Sequence, residues 1–239
     1  MFNTKIPLYG ISILLALICN IIVSIILFRK YSFNKNEIIG VILYECSGIV
    51  IGAKLLSYIQ NYKYYTEFDF FKVGLSSYGA VFGAIILIIL FALQFKKSIK
   101  ELLYIFMPSI PLMYSIGKLG CFIAGCCYGI EYNGPFSVIY NYSLSAPKNT
   151  PLFPIQLVES IFFIIIFIYM IRKHIKNEFD DKTLGISFIL CGLSKFLLDF
   201  LRMSHKNIII SLNQYISLFF IIIGIIILIH NKRKSFTTK

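Results

Sequence analysis

The sequence predicts an all-α integral membrane protein, a bundle of seven transmembrane helices. The chain is 58% hydrophobic and only 14% charged, with a mean hydropathy of +0.79, and its apolar residues gather in runs of the length that crosses a bilayer. Only short loops remain, so we expect one transmembrane domain, residues 1–239. The seven predicted spans are Leu8–Phe28, Ile38–Ile59, Ser77–Phe95, Leu102–Ile123, Phe153–Ile171, Leu184–Leu201 and Ile208–Ile229.

The basic residues sort by loop and predict the orientation of the chain. A formal net charge of +12 would suggest a nucleic-acid partner in a soluble protein. Here residues 29–36, 96–100, 172–183 and the tail from residue 231 are richer in Lys and Arg than the alternate loops, and the richer loops are expected to be cytoplasmic. We therefore expect the N-terminus outside and the C-terminus in the cytoplasm. The basic excess then faces membrane lipid, and no nucleic-acid partner is expected.

Polar and ionisable residues of the predicted spans fall mainly at the outer ends. Such groups are costly at membrane depth, so they usually face the bundle interior and mark a site. Glu45, in the inner half of the second span, is the main exception. The arrangement predicts an outward-facing, net-positive pocket that suits an anionic lipid headgroup. The converging residues are Lys54, Ser76, Ser77, Tyr78, Lys118, Gln156, Glu159, Lys195, Asp199, Arg202, Asn213 and Gln214.

The spacing of Lys195, Asp199 and Arg202 puts all three on one face of a helix. We predict that Lys195 and Asp199 pair across one turn, and that the planar fork of Arg202 receives a phosphate or carboxylate. The alternative interpretation is structural, with interhelical salt bridges and lysines that snorkel toward the interface. For Arg202 and Lys206 taken alone, the structural interpretation is favoured.

Residues 117–129 read Gly-Lys-Leu-Gly-Cys-Phe-Ile-Ala-Gly-Cys-Cys-Tyr-Gly. The four glycines of this stretch permit close backbone approach, and Gly125 and Gly129 are predicted to end a helix and turn the chain. A separate pair, Gly48 and Gly52, has the spacing that favours close helix packing.

Cys121, Cys126 and Cys127 lie near the predicted outer face. Packing as small apolar side chains is the first expectation for each. A disulfide between Cys121 and Cys126 and a reactive thiolate beside Lys118 remain open alternatives. A zinc site usually takes ligands from a second arm of the chain, and only His205 is predicted on this face, so we expect no metal and no cofactor.

Two loops are also predicted on the outer face. The stretch 60–73 is aromatic with mixed charge, which is typical of an interfacial belt. The loop 130–152, the longest, contains Pro135, Pro147 and Pro151, and a loop of that length above a pocket can hold or cover an acceptor substrate.

Five segments match the motifs of one known family in the same order. Gly52–Leu55 resembles Gly-Ala-Arg-Leu, and Gly74–Gly79 resembles Gly-Met-Ser-Phe-His-Gly. Gly117–Gly129 resembles the signature Gly-Arg-x-Gly-Asn-Phe-x-Asn-Gly-Glu-x-Tyr/Trp-Gly. Pro154–Glu159 resembles Pro-Ser-Gln-Leu-Tyr-Glu, and Gly192–Arg202 resembles Gly-x-x-Arg-Phe-x-x-Glu-x-x-Arg. The chain thus resembles the bacterial prolipoprotein diacylglyceryl transferases.

The resemblance implies a multi-pass enzyme of the bacterial plasma membrane. Such enzymes take phosphatidylglycerol and move its diacylglyceryl group to the lipobox cysteine thiol of an exported prolipoprotein, and glycerol phosphate leaves. The cations of the predicted pocket fit this reaction, because they would bind the lipid phosphate and stabilise the leaving phosphate. A base would help to ionise the acceptor thiol.

The resemblance also implies roles for individual residues. Lys118, Lys195 and Arg202 are expected to hold the phosphate, and Asp199 to orient Lys195. The expected catalytic residues are Tyr78 and Glu159, either of which would assist proton transfer, with Lys195 and Asp199; the expected substrate-binding residues are Lys54, Lys118, Gln156, Arg202, Gly117, Gly120 and Cys121.

The chain departs from the family at several polar positions. Lysine keeps the charge of arginine but loses its bidentate geometry, so two alternatives remain: a phospholipid-dependent transferase with a different thiol or hydroxyl acceptor, and a non-catalytic membrane protein that binds anionic lipid. A transporter is disfavoured because the polar residues cluster near one face. The departures are Tyr78 for histidine, Lys54, Lys118 and Lys195 for arginine, Cys121 and Ala124 for asparagine, and Cys126 for glutamate.

Overall fold

The computed structural model describes residues 5–31, 33–64, 67, 69–70, 72–141, 143, 145–206 and 208–237. Within these residues the regular secondary structure is helical apart from one two-stranded sheet, which confirms the predicted all-α class. The helices are α1 (Lys5–Lys30), α2 (Lys35–Gln60), α3 (Ser77–Gln94), α4 (Ile99–Phe106), α5 (Ser109–Ala124), α6 (Ile155–Ile175), α7 (Asp181–Asp199) and α8 (Leu212–Thr237), with 3₁₀ turns at Tyr62–Tyr64 and Met203–His205.

Six segments of the described chain are long and apolar enough to cross a membrane, which makes this a multi-pass membrane protein. One of them combines α4 and α5. Helix α7 is not among the six, and it carries Asp181, Lys182, Lys195 and Asp199. The six segments are Tyr9–Lys30, Lys35–Gln60, Ser77–Gln94, Ile99–Ala124, Ile155–Ile175 and Leu212–Lys232.

Two predicted spans differ from the helices that form. The fourth is interrupted at Pro108, which has no N–H for the helical ladder, and α5 begins at Ser109, whose Oγ donates to the carbonyl of Phe106 at 2.7 Å. The sixth ends at Asp199, so Arg202 lies beyond the helix in an extended conformation (φ −90°, ψ 140°). The prediction that Arg202 shares a helical face with Lys195 is therefore wrong.

The chain forms two compact units: the smaller unit, residues 20–110, and the larger unit, residues 1–19 with 111–239. In the smaller unit, Glu45 is buried beside Asn20. The predicted interfacial stretch 60–73 lies partly outside the described residues.

In the smaller unit, α2 and α3 pack through four glycines, Gly48, Gly52, Gly79 and Gly83, which we call the glycine seam. A Cβ added at Gly48 would meet the carbonyl oxygen of Gly83, and one at Gly52 would meet that of Gly79. Each residue of α3 in the seam meets α2 in the same reciprocal way. The close packing predicted for Gly48 and Gly52 is confirmed, since no side chain separates the two backbones.

In the larger unit, the loop after α5 contains a short hairpin that the sequence did not predict. Strand β1 (Val138–Ile139) pairs antiparallel with β2 (Pro151–Leu152). Beneath it, Tyr140, Ala146 and Leu152 form a small apolar core. The loop 130–152 is therefore anchored over part of its length by its own sheet and core.

Backbone hydrogen bonds join three connections of the larger unit. Ile130 N–H donates to the carbonyl of Leu201 at 3.0 Å, and Met203 N–H donates to that of Tyr128 at 3.2 Å. Phe153 N–H donates to the carbonyl of Ile130 at 2.9 Å. The chain after α5, the turn after α7 and the start of α6 are thereby held together, and the side chains described next lie on these elements.

Candidate active site

The C-terminal end of α5 is shaped by glycine. After Ala124 the chain turns at Gly125, whose φ of +67° lies in the left-handed region. Its N–H bonds to the carbonyl of Phe122 at 3.2 Å, and Cys126 N–H bonds to that of Cys121 at 3.1 Å. These bonds close the last turn of the helix, so the helix end predicted at Gly125 is confirmed.

Close approach holds for some of the other glycines in residues 117–129. A Cβ at Gly120 would lie 2.6 Å from Ser12 Cβ, and one at Gly129 would meet the carbonyl oxygen of Phe153. A Cβ at Gly117 would have no neighbour within 4 Å among the residues that the structure describes. The prediction of close approach is therefore confirmed for Gly120 and wrong for Gly117.

A buried carboxylate on α6 pairs with two lysines from neighbouring helices. Glu159 is fully buried. Its Oε2 lies 2.6 Å from Nζ of Lys118 on α5, and its Oε1 lies 2.8 Å from Nζ of Lys195 on α7. Both lysines are themselves buried. We call Lys118, Glu159 and Lys195 the ionic cluster; the structure brings these three predicted site residues into direct contact.

Tyr114 completes the ionic cluster, and the sequence reasoning missed it. Its hydroxyl donates to Glu159 Oε1 at 2.9 Å and accepts a hydrogen bond from Lys195 Nζ. The two lysine Nζ atoms lie 5.2 Å (Lys118) and 4.8 Å (Lys195) from the centre of its ring, in reach of cation–π attraction. The signal in the sequence was its position one helical turn before Lys118.

Asp199 is held by residues that precede and begin α8, and not by Lys195. Ser211 Oγ donates to its Oδ2 at 2.5 Å, and Asn213 Nδ2 donates to its Oδ1 at 3.1 Å. Lys195 instead reaches α6 and pairs with Glu159. The predicted pairing of Lys195 with Asp199 is therefore wrong, because a carboxylate and a phenol on other helices offer Lys195 a shorter contact than the next turn of α7.

Arg202 follows Asp199 and is also buried. Its Nη1 lies 3.7 Å from Asp199 Oδ1, a loose pair, and His205 Nδ1 lies 3.5 Å from Asp199 Oδ2. The Nε of Arg202 donates no hydrogen bond to any residue that the structure describes. A buried guanidinium donor without a partner is costly, and an anion placed beside it would remove that cost.

Gln156 ties the start of α6 to the end of α5. Its Nε2 donates to the carbonyl of Cys126 at 2.9 Å and contacts the hydroxyl of Tyr140 at 3.4 Å. Its buried Oε1 accepts no hydrogen bond from the described residues. The amide nitrogen of this predicted substrate-binding residue therefore has a structural role, and its amide oxygen can still accept a hydrogen bond from a ligand.

Two predicted site residues belong to the smaller unit. Lys54 Nζ donates to the carbonyl of Val73 at 2.6 Å and lies 5.0 Å from the ring centre of Phe70. Tyr78 is buried in the first turn of α3, where Ser76 caps the helix by accepting from Gly79 N–H. Lys54 lies on α2 and Tyr78 on α3, the two helices that pack through the glycine seam.

Cys121, Cys126 and Cys127 converge at the end of α5. Their sulfur atoms all lie within 4.8 Å of one another, and all six cysteines of the chain are free thiols. Hydrogen bonds from the thiols of Cys121 and Cys126, together with the charges of Lys118 and Arg202, lower the pKa of the Cys127 thiol.

The comparisons with known proteins point to one family. The sequence model of a family described as prolipoprotein diacylglyceryl transferase matches residues 1–230. The phosphatidylglycerol–prolipoprotein diacylglyceryl transferase 2 of Clostridium perfringens is 29% identical over 241 residues, which cover 98% of this chain and 94% of the relative. The corresponding protein of Clostridium tetani is 30% identical over 233 residues, 95% of this chain and 94% of the relative. That of Finegoldia magna is 26% identical over 241 residues.

Proposed function

The chain belongs to the prolipoprotein diacylglyceryl transferase family, and on that premise we propose that it transfers diacylglyceryl from phosphatidylglycerol to the lipobox cysteine thiol of an exported prolipoprotein. The relatives that cover nearly the whole chain carry this activity in their names. The departures from the family motifs, above all Tyr78 for histidine, fall on polar chemistry, whereas the backbone-shaping glycines are retained. The proposal therefore needs a site in this chain that can bind an anionic donor.

The observation that carries the proposal is a buried excess of positive charge. Lys118, Lys195 and Arg202 stand against two carboxylates, Glu159 and Asp199, and all five side chains are buried. Uncompensated buried charge is costly, so a site with more cations than anions favours an anionic ligand. The free Nε of Arg202 adds a directed donor. A phosphodiester supplies both the negative charge and the acceptor oxygens.

The transfer is a substitution at the carbon of the diacylglyceryl group that is bonded to the phosphate oxygen. The acceptor sulfur forms a bond to that carbon as the bond from carbon to phosphate oxygen breaks, and glycerol phosphate leaves with the electron pair. Lys118, Lys195 and Arg202 would stabilise the charge that grows on the leaving phosphate. Asp199, loosely paired with Arg202, would hold that guanidinium in place.

The acceptor thiol must lose its proton, and Glu159 is the base we favour for this step. In the structure its two oxygens are engaged by Lys118 and Lys195. When both lysines turn to the donor phosphate, the carboxylate regains the capacity to accept a proton. Tyr78 is the alternative base. Gln156, Gly117, Gly120 and Cys121 are proposed to line the donor site, and for Lys54 we propose the substrate-binding role that its family motif implies.

We further propose that α7 is a seventh span of one membrane domain, residues 1–239. Its ionisable residues Lys195 and Asp199 are engaged by other helices and not left facing lipid, which offsets their cost at membrane depth. The N-terminus would lie outside and the C-terminus in the cytoplasm of a bacterial cell, with the enzyme in the plasma membrane. The excess of Lys and Arg in alternate loops supports this orientation.

The test uses the purified full chain in vesicles that contain labelled phosphatidylglycerol, together with a lipobox peptide. We expect a peptide that gains one diacylglyceryl group on its cysteine, identified by mass spectrometry. Vesicles of phosphatidylethanolamine alone serve as the donor control. Lys118→Met should reduce turnover, whereas the matched variant Lys176→Met, at the exposed end of α6, should not.

Two results would overturn parts of the proposal. No lipidated peptide, while a relative of established activity turns over alongside, would exclude the prolipoprotein acceptor for this chain. Consumption of phosphatidylglycerol without peptide lipidation would retain the donor and direct the search to another thiol or hydroxyl acceptor.

A further inference from the structure

Three thiols converge at the end of α5, and the proposed transfer gives none of them a chemical step; only Cys121 is also proposed to line the donor site. Cys121, Cys126 and Cys127 place their sulfur atoms within 4.8 Å of one another. None of the three is disulfide-bonded. We call them the thiol cluster. The sequence offers no second arm of ligands, and the convergence of three sulfurs, which depends on the turn at Gly125, is seen only in the structure.

The backbone around the thiol cluster is held in the conformation that makes the sulfurs converge. Gly125 and Cys127 both have left-handed φ values, +67° and +55°. The left-handed region is uncommon for cysteine, and such residues persist where the surroundings fix them. Cys126 is fixed at both ends of its backbone, because its N–H bonds to Cys121 and its carbonyl accepts from Gln156. The cluster is thus built into the fold before any ligand arrives.

The spacing of the sulfurs fits a metal–thiolate centre. With bonds of about 2.3 Å from metal to sulfur, three thiolates in tetrahedral or trigonal geometry lie roughly 3.8–4.0 Å apart. The thiol cluster falls within that range after sub-ångström adjustment. Thiolates are soft ligands and select soft cations such as zinc(II) and copper(I). Three ligands leave a fourth position open on zinc and complete a trigonal site for copper(I).

The surroundings also match the charge of such a centre. Three thiolates around zinc(II) or copper(I) leave a net negative charge. Lys118 acts electrostatically on all three thiols, and Arg202 acts on Cys127. These cations would offset the excess, as outer-shell partners do at metal sites.

We propose that Cys121, Cys126 and Cys127 form a binding site for one soft, thiophilic cation of the zinc(II) or copper(I) type. The site goes beyond the transfer reaction and does not depend on it. The bound ion would cross-link the last turn of α5 to the loop that follows. Because Lys118 and Arg202 face both the thiols and the carboxylates, metal occupancy would also alter the charge available to an anionic donor.

The test is metal titration of the reduced full chain in detergent. Cadmium(II) serves as the spectroscopic probe for sulfur ligation, and zinc(II) and copper(I) are titrated in separate arms against competing chelators. We expect sulfur-to-metal charge-transfer absorption that saturates at one ion per chain. The arm with the tighter binding identifies the cation.

Matched cysteine variants locate the site. The triple variant C121S/C126S/C127S should lose the absorption, and the control C19S/C46S/C191S, which removes the other three thiols, should keep it. The single variant C127S should weaken binding by more than the roughly 10- to 100-fold that an outer-shell partner is worth. Thermal unfolding of each variant shows that the chain still folds.

Three outcomes would overturn the proposal. Equal metal binding by the two triple variants would place the ion elsewhere, and absence of charge-transfer absorption in the reduced wild type would exclude thiolate ligation. The third outcome has two parts: the purified chain contains a disulfide among the three cysteines, and it takes up no metal after that disulfide is reduced. This result would identify the thiol cluster as a redox pair.

Discussion

The glycine seam and the ionic cluster close helices together by opposite means. In the seam, side chains are absent, and the backbones of α2 and α3 meet directly at Gly48–Gly83 and Gly52–Gly79. In the cluster, long charged side chains from three helices meet at Glu159. The seam has one packing arrangement, because its contacts are backbone atoms fixed by the helices. The ionic cluster can adopt several arrangements, because the long side chain of each lysine can pair with a different anion.

This difference explains why the cluster and not the seam is suited to a ligand. In the proposed reaction a donor phosphate would take the place of Glu159 as the partner of the lysines, and the carboxylate would then take up the proton of the acceptor thiol. Nothing can enter the seam without separating two helices. Buried charges are poor stabilisers compared with well-packed apolar groups, so their presence in the larger unit favours a functional role.

Removal of the shared carboxylate is the strongest test of the cluster. Glu159→Gln leaves Lys118 and Lys195 buried without a counter-charge, and breaking a buried pair costs about 3–5 kcal/mol. Turnover should also fall by about 100-fold or more, because a general base is lost. Initial rates of peptide lipidation and thermal unfolding measure the two effects. Glu67→Gln, at an exposed position, is the matched control. A variant at Glu159 that behaves like this control would show that the carboxylate has neither role.

A single methyl group tests the seam. Gly52→Ala would place a Cβ against the carbonyl oxygen of Gly79, and such overpacking costs about 1–3 kcal/mol. The control is Gly10→Ala, where an added Cβ has no described neighbour within 4 Å and alanine stabilises the helix by up to about 1 kcal/mol. Thermal unfolding in detergent compares the two. Equal unfolding temperatures would mean that α2 and α3 do not depend on backbone contact.

The glycine features were predictable because they depend on local geometry. The spacing of Gly48 and Gly52 indicates a smooth helix face, and Gly125 follows an apolar helix and begins a polar loop. Each prediction follows from a residue that lacks a Cβ, whatever the distant partner is. Gly117 shows the limit of this reasoning, since a glycine in a helix can also lie where no neighbour approaches.

The charged features were predictable as a set but not as pairs. The convergence of Lys118, Glu159 and Lys195 follows from helix depth and orientation. The carboxylate that pairs with Lys195 depends on how α5, α6 and α7 are placed. It also depends on Tyr114, whose only signal in the sequence was its position one helical turn before Lys118. Arg202 does not lie on the predicted helix face because α7 ends at Asp199. The end of a helix depends on tertiary contacts as much as on sequence.

Removal of the Tyr114 hydroxyl tests whether its hydrogen bonds orient the ionic cluster. Tyr114→Phe keeps the ring over the lysines but removes the hydrogen bonds to Glu159 and Lys195. A hydrogen bond to a charged group contributes about 1.5 kcal/mol, which is roughly tenfold in rate. We expect turnover to fall by that factor while the chain stays folded. Tyr62→Phe, on an exposed ring, is the control. An unchanged rate would show that the lysines and Glu159 are oriented without the phenol.

The smallest expected effect comes from a neutral contact between α5 and α6, which tests whether helix packing alone affects turnover. Ser115 on α5 lies 2.9 Å from both the carbonyl and the hydroxyl oxygen of Ser160 on α6. Ser115→Ala removes this neutral interhelical contact, and we expect a loss of about 1 kcal/mol in stability with no change in turnover. Ser187→Ala is the matched control. Among the described residues that hydroxyl bonds within α7, to the carbonyl of Thr183, and such bonds add little to a helix. If Ser115→Ala instead lowered turnover as much as Tyr114→Phe, the spacing of α5 and α6 would limit the reaction, and the charges of the cluster would not act alone.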